Sequence, residues 1–439
     1  MADAPSHQAQ PQLLRAMGRW SMVALAINSV IGSGIFGLPA VLAQLIGRAS
    51  PLAVLIAGAG MGVIIACYAE VASQFTTTGG TYLYVRRAFG RLIGLQVGWL
   101  TLLARLTACA GAVNLFVAYL QEFWPAAAGA VVRVVVISVF VGSLAAVNYR
   151  GVGGGARLSD FAAVAKLVPL GVLCVAGIAW LGAHARLSAP PVAHPVADWL
   201  QAMLLLLFAY GGAEVALNPA GEARDPRRDT VFALFAALLV VAGLYSVLQL
   251  IVTGVLTDPA HSERPLADTA RVLLGPHGAA LISAGALVSV YGYMSANLLT
   301  VPRSVFALAE RGDFPAQFAA VHPRWRTPHV AIAAFAALVW LFALGAGFAW
   351  NITLSAIARI FYYALVCAAL PVLRRLQPEA GTFRVPGGIS LPVLGIALCA
   401  VLLTRVDFSQ SLVVLATLAV ALGNWAVLRG RAASASGAQ

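Results

Sequence analysis

NSVIGSGIFGLP, residues Asn28 to Pro39, lies inside an apolar run from Trp20 to Gln44. The run is long enough to cross a bilayer as a helix. Within it, Gly32, Gly34 and Gly37, with Pro39 close behind, weaken a helix interior. The pattern predicts a helix broken near its middle. Unpaired backbone groups cost several kcal/mol in hydrocarbon, so unwound chain survives there only where protein buries it or a water-filled cavity receives it. A half-helix restarting near Ile35 would aim free N–H groups and a positive dipole end into such a cavity, an arrangement that suits a carboxylate. The competing reading is a glycine-lined helix crossing, because small residues also let membrane helices approach closely.

Composition fixes the solvent. The 439 residues are 61% hydrophobic and 10% charged, against roughly 25% charged in soluble domains. The chain is read as an all-α membrane protein. Its net charge of +12 would suggest nucleic acid or acidic partners in a soluble protein. Here the basic residues fall in short loops between apolar spans, so no nucleic-acid site is read. The five cysteines lie within apolar spans without ligand spacing, and the seven histidines fall in loops, the tail or span edges. No metal or cofactor is expected.

Apolar runs separated by charged or Pro/Gly-rich breaks predict about twelve spans. Their limits are 20–44, 51–75, 92–120, 126–148, 158–182, 198–221, 230–256, 277–309, 328–348, 351–373, 389–406 and 410–428. With the N-terminus inside, nineteen arginines fall in inner loops and tails against five in outer loops. Both termini are therefore expected in the cytoplasm. Residues 1 to 14 are polar, and the first apolar run is too long for a cleaved signal peptide.

A second break is signalled in the sixth span by FAYGGAEVALNPAG, Phe208 to Gly221, through Gly211, Gly212 and Pro219. Five spans separate the two breaks, an odd number, so the second runs in the opposite direction. Interrupted helices at matching positions of two inverted halves point to a transporter site at the bilayer midplane. The implied organisation is a tail at 1–18, a first repeat at 19–184, a second at 196–375, helices eleven and twelve at 389–428, and a tail at 429–439.

At these residues the chain resembles the amino acid/polyamine/organocation superfamily of amino acid permeases. IGSGIF (Ile31 to Phe36) matches that family's first-helix motif, and YAEVASQFTTTGGTYLYVRRAFG (Tyr68 to Gly90) is similar to its second-helix motif and following inner loop. FAYGGAEVALNPAGEARDPRRD (Phe208 to Asp229) and VPRSVFALAERGDFP (Val301 to Pro315) resemble the sixth-helix motif and the end of the eighth. The resemblance implies a LeuT-like 5+5 inverted repeat in the cytoplasmic (inner) membrane. It further implies a substrate carboxylate on N–H groups around Ser33 and Gly34. The ammonium would meet carbonyls near Val30 and Ile31 and from Phe208 and Ala209, under Phe208 as a lid. FAYGG is similar to the L-type members, from which the chain departs at Glu214, where they carry Asn. It also lacks a cysteine in Gln121 to Pro125, the outer loop where they bond to a partner. No disulfide-linked heavy chain is expected.

Charges inside spans are expensive and are functional hypotheses by default. Lys166 is the only lysine, in the fifth span, with Ala162, Ala163 and Pro169 on its face. A buried lysine can give up a proton where arginine stays charged. It reads as a proton-coupling or gating group, and the resemblance agrees, since some proton-coupled members place a lysine where sodium-coupled relatives bind their ion. The alternative is a static charge on first-helix carbonyls. Glu214 reads as a proton carrier or as an acceptor for freed N–H groups. Tyr245 resembles a tyrosine that approaches the first-helix break. Glu70 reads as structural, Arg105 and Arg359 as partners of Glu214 or Glu70 or as groups that reach the pathway, Arg133 as a snorkelling end group, and Tyr291 and Tyr293 as pocket or packing aromatics.

The function read from the sequence is a secondary active transporter of L-amino acids working by alternating access, with neutral cargo and proton coupling favoured. Three basic groups near the pathway, Lys166, Arg105 and Arg359, argue against arginine or polyamines. The alternatives are a proton-independent exchanger, sodium coupling, and a channel or non-transporting nutrient sensor. With no HExxH and no GxSxG elbow, an enzyme is not expected.

Overall fold

The computed structural model describes residues 18–75, 80–151, 155–184, 193–212, 226–376 and 383–436. Its α-helices are α1 (Arg19–Val30), α2 (Gly34–Ile46), α3 (Ser50–Ser73), α4 (Gly80–Phe89), α5 (Arg91–Leu120), α6 (Ala130–Tyr149) and α7 (Gly155–His184). They continue as α8 (Val196–Tyr210), α9 (Pro226–Val255), α10 (Pro265–Glu310), α11 (His329–Gly345), α12 (Phe348–Leu376), α13 (Ser390–Leu403) and α14 (Phe408–Ser436). Among the described residues no strand occurs. Eight helical stretches there are long and apolar enough to cross a membrane, and α8, α11 and α13 are apolar but shorter.

The first apolar run is two helices, α1 and α2, separated at Ile31 to Ser33. The glycine at 34 opens the second helix, one residue before the expected restart. Two features were not anticipated. The stretch after the second span, read as a loop, contains α4, set between Gly80 and Gly90, whose φ values of 54° and 86° are left-handed conformations natural to glycine. The eighth span is preceded by an extra helical segment, because α10 starts at Pro265 and turns sharply at Gly275, φ 71°, just before Pro276.

Packing separates an apolar exterior from a small-residue interior. On α6, Val131, Val134, Val135 and Val139 are exposed, as are Leu412, Leu415 and Val420 on α14. That outward face suits lipid. Inside, α5 carries the buried run Ala108, Cys109, Ala110, Gly111 and Ala112. A Cβ on Gly111 would come within 3.1 Å of Ile352 on α12, so these helices meet almost backbone to backbone. The main contacts are α3 with α9, α5 with α12, and α7 with α10. The break in the first run lies among α8, α9 and α10: α1 packs on α9, and α2 on α8 and α10.

Acidic side chains tie the helix ends. The Glu70 carboxylate on α3 accepts two hydrogen bonds from Arg374 of α12, both at 2.6 Å, and one from the Val385 amide at 2.7 Å. It therefore does not pair with Arg105 or Arg359. Buried Asp313 accepts from Arg86 at 2.9 Å, from Arg91 at 2.7 Å and from Tyr82. Burial and the bond to Asp313 push the Tyr82 hydroxyl up to about 12, which keeps it a donor to that carboxylate. At the opposite ends of α5 and α10, Glu122 pairs with Arg264 at 2.9 Å and with Arg271. Breaking a buried pair by deleting one partner leaves an uncompensated charge, at a cost of about 3–5 kcal/mol. Arg374→Ala is therefore expected to lower the melting temperature of the detergent-solubilised protein markedly, read by intrinsic fluorescence. The double variant Glu70→Gln/Arg374→Ala should recover part of the loss.

Candidate functional site

The site grows from the interrupted first run. Ile31 leaves the helix with φ −72° and ψ 86°, its N–H still bonded to the Ile27 carbonyl. Without a following turn, the carbonyls of the last residues of α1 lose their intrahelical donors. Side chains from elsewhere replace them. Lys166 Nζ on α7 donates to the Asn28 carbonyl at 2.8 Å and to the Ile31 carbonyl at 2.6 Å. The Tyr245 hydroxyl on α9 donates to the Val30 carbonyl at 3.2 Å. Both donors are buried.

On the other side of the break, Ser33 makes no side-chain cap to the start of α2. Ser33 and Gly34, at the start of that helix, line the space between α2 and α8. Farther along, the helix is clamped: the Tyr119 hydroxyl donates to the Phe36 carbonyl at 2.8 Å and Gln249 to the Pro39 carbonyl at 3.1 Å. Helix α8 ends at Tyr210 and the chain turns away through an extended Gly211 and a left-handed Gly212, φ 117°. A Cβ on Gly212 would lie 2.6 Å from the Ser29 carbonyl oxygen, and one on Gly34 would lie 3.3 Å from Ala209. Glycine therefore serves both readings of the motif. It opens the helix and it lets α2 and α8 touch.

A cavity lies between the two helix ends. It is lined by Ser29, Val30, Gly32, Ser33 and Gly34 from the first break and by Phe208, Ala209, Gly211 and Gly212 from the second. Arg105 of α5, Tyr293 of α10 and Arg359 of α12 close it. Arg359 is buried, its guanidinium 5.8 Å from the Phe208 ring centroid and 3.5 Å from the Tyr363 hydroxyl. No aspartate or glutamate lines the cavity among the described residues.

Of the residues anticipated around a substrate, Val30, Ser33, Gly34, Phe208, Ala209 and Gly211 line the cavity. Ile31 and Ile35 do not. Ile31 instead gives its carbonyl to Lys166, and Ile35 is buried in the first turn of α2. The Val30 and Ile31 carbonyls, anticipated as ammonium acceptors, are already engaged by Tyr245 and Lys166. Glu214 lies outside the described residues. Tyr293 reaches the cavity, whereas Tyr291 is 39% exposed, its ring 6.3 Å from Phe140. Arg133 bonds to Asn114 at 2.6 Å rather than snorkelling. The two arginines, read from sequence as structural partners or as groups reaching the pathway, line the cavity.

The family described as amino acid permease matches residues 17–422 of the chain. The serine/threonine exchanger SteT of Bacillus subtilis is 27% identical over 89% of this chain and 91% of its own. An uncharacterized transporter of Mycobacterium tuberculosis is 32% identical over 84% of each chain. The methylthioribose transporter of Bacillus subtilis is 26% identical over 88% of this chain and 87% of its own.

Alanine at Gly212 would have to adopt a conformation costing about 1–3 kcal/mol in backbone strain, and would also meet the Ser29 carbonyl. Gly212→Ala should therefore lower the melting temperature and remove uptake by reconstituted protein. Gly182→Ala, where a Cβ meets nothing within 4 Å, should leave both unchanged.

Proposed function

The chain belongs to the amino acid permease family, and from that premise we propose that it is a proton-coupled secondary transporter of L-amino acids that works by alternating access. That it is a membrane transporter and not an enzyme follows from the family and its relatives. Cargo, coupling and topology are the proposal. The observation that carries it is the lysine behind the cavity, whose ammonium holds two carbonyls of the break that faces the substrate space.

The substrate carboxylate would meet the open N–H groups of Ser33 and Gly34 at the positive end of α2. With Val30 and Ile31 engaged, the ammonium would have the Ser29 carbonyl, the second lone pair of Val30, and the cavity-lining end of α8 at Phe208 and Ala209 as acceptors. The two guanidiniums in the wall and the described lining without a carboxylate disfavour a cationic side chain. Neutral amino acids, the cargo favoured by the sequence, remain within this reading.

Lys166 couples to the cavity through the backbone. While protonated, its ammonium bridges Asn28 and Ile31 and fixes the break. Loss of the proton removes the charge from these bonds and loosens the segment that binds the carboxylate. Proton and substrate thus act on one piece of chain, which is the requirement for coupling.

The architecture proposed is twelve crossings in two inverted five-helix repeats, residues 19–184 and 196–375. Helices 389–428 follow, and the tails 1–18 and 429–439 lie in the cytoplasm of an inner-membrane protein. The packing supports it. If the first run through α7 is one repeat and α8 through α12 the other, the contacts fall into equivalent sets. Helix α5 meets α12 as α10 meets α7, α1 meets α9 as α8 meets α3, and α11 meets α5 as α6 meets α10.

A second reading is proton-independent exchange, favoured by the likeness to an exchanger. Uptake of labelled amino acids into proteoliposomes, with and without an inward proton gradient and with sodium replaced, separates the two. Under coupling, the gradient accelerates wild-type uptake, and Lys166→Ala loses the accelerated component alone. Uptake that ignores the gradient and requires internal amino acid would establish exchange. Failure of preloading to accelerate labelled uptake would point to a channel or sensor.

A further inference from the structure

Among the described residues, the cavity wall holds two arginines and no carboxylate. Arg105 enters from α5 and Arg359 from α12, two helices packed on each other, so both guanidiniums reach one side of the substrate space. Arg359 is buried and has partners, including the Tyr363 hydroxyl and the Phe208 ring. Arg105 differs. Among the described residues it forms no hydrogen bond or ion pair, and its side chain is half-buried and borders the cavity. One turn on along α5 lies Cys109, and Leu106 and Ala108 are buried in apolar packing. The α-carboxylate of a bound amino acid is answered by the α2 amides across the cavity. A neutral side chain would then offer Arg105 no ionic partner, and none of the described residues supplies one.

The geometry points to Arg105 as the specificity residue of the cargo side chain, and to L-amino acids whose side chain ends in a carboxylate as the preferred cargo. This rests on the amino acid transport reading above and narrows it. Guanidinium and carboxylate match in charge and in planar two-point geometry, which a lysine at the same place would not reproduce. Tyr293 lies over Gly32, its ring 3.7 Å from where a Cβ would stand, and Phe208 lies beside Gly34 at 3.5 Å by the same measure. A cationic side chain would meet like charge in the same cavity.

The full chain in proteoliposomes provides the test. Uptake of labelled serine is competed with unlabelled glutamate, aspartate, glutamine, asparagine, arginine and succinate. Direct uptake of labelled glutamate, aspartate and serine is measured for wild type, Arg105→Gln and Arg105→Lys. In wild type, the better of glutamate and aspartate should compete at least about tenfold more strongly than its amide, because a site built around a charged partner rejects the isostere that leaves it unpaired. Arg105→Gln should reduce the ratio of acidic to serine uptake by at least about tenfold, and Arg105→Lys by less. Equal competition by acid and amide in wild type overturns the proposal without needing a variant to fold. An Arg105→Gln protein, monodisperse on size exclusion, that loses acidic and neutral uptake in equal proportion makes Arg105 a strut and also overturns it. Competition by succinate equal to that of aspartate would replace amino acids with dicarboxylates. Transport of neutral but not acidic amino acids defeats this inference alone, whereas transport of no amino acid defeats it together with the reading it rests on.

Discussion

Three residues of unwound backbone, Ile31 to Ser33, set the terms for the rest of the molecule. In a bilayer interior each unpaired carbonyl or amide costs several kcal/mol, so a break must be answered group by group. The carbonyl side is answered by protein. Lys166 and Tyr245 reach in from two different helices and take Asn28, Val30 and Ile31. On the amide side, Ser33 supplies no cap to the start of α2, and a cavity begins there. This asymmetry makes the break a site rather than a defect. One half is held by the fold, and the other borders the cavity in which we propose that substrate binds.

The same break explains the choice of small residues around it. Helix α2 must lie close enough to α8 for both broken ends to share one space, and Gly34 against Ala209 permits that approach. Beyond α8 the chain must turn across the carbonyl of Ser29, which Gly212 achieves with a backbone conformation that other residues rarely adopt. Away from the site the requirement reverses. Held end to end by Glu70 with Arg374, Asp313 with Arg86 and Arg91, and Glu122 with Arg264, the helices form a frame. Ion pairs are concentrated at the ends of helices, where water is near. The cavity is where guanidiniums stand among backbone and aromatic groups.

Charge in the interior is unevenly distributed, and the distribution has functional weight. Lys166 lies behind the break and touches backbone, so a change in its protonation would be felt through the segment that faces the substrate. Arg105 and Arg359 stand in the wall and face the substrate space directly. On the proposed reading, a group able to shed its charge at the hinge would serve coupling, and groups that keep theirs in the pocket would serve selection.

The sequence by itself determined the membrane environment and the position of the first break, because these follow from local quantities. Apolar run length, arginine in loops, and glycine with proline inside a span each act over one helix. It also marked Lys166 as unusual, since a lone lysine in an apolar run is costly wherever the chain folds. Only the tertiary structure decided which groups meet. Gly32 to Gly37 proved to be both a break and a close helix contact, a pair of readings no single-helix pattern could separate. Val30 and Ile31, expected to face a substrate ammonium, gave their carbonyls to Tyr245 and Lys166, partners 215 and 135 residues distant in the chain. Glu70 went to Arg374 and left Arg105 and Arg359 for the cavity. Pairings of this kind depend on the rotation of each helix about its axis and on which helices become neighbours. Hydrophobic patterning constrains that rotation weakly when lipid and protein interior are equally apolar.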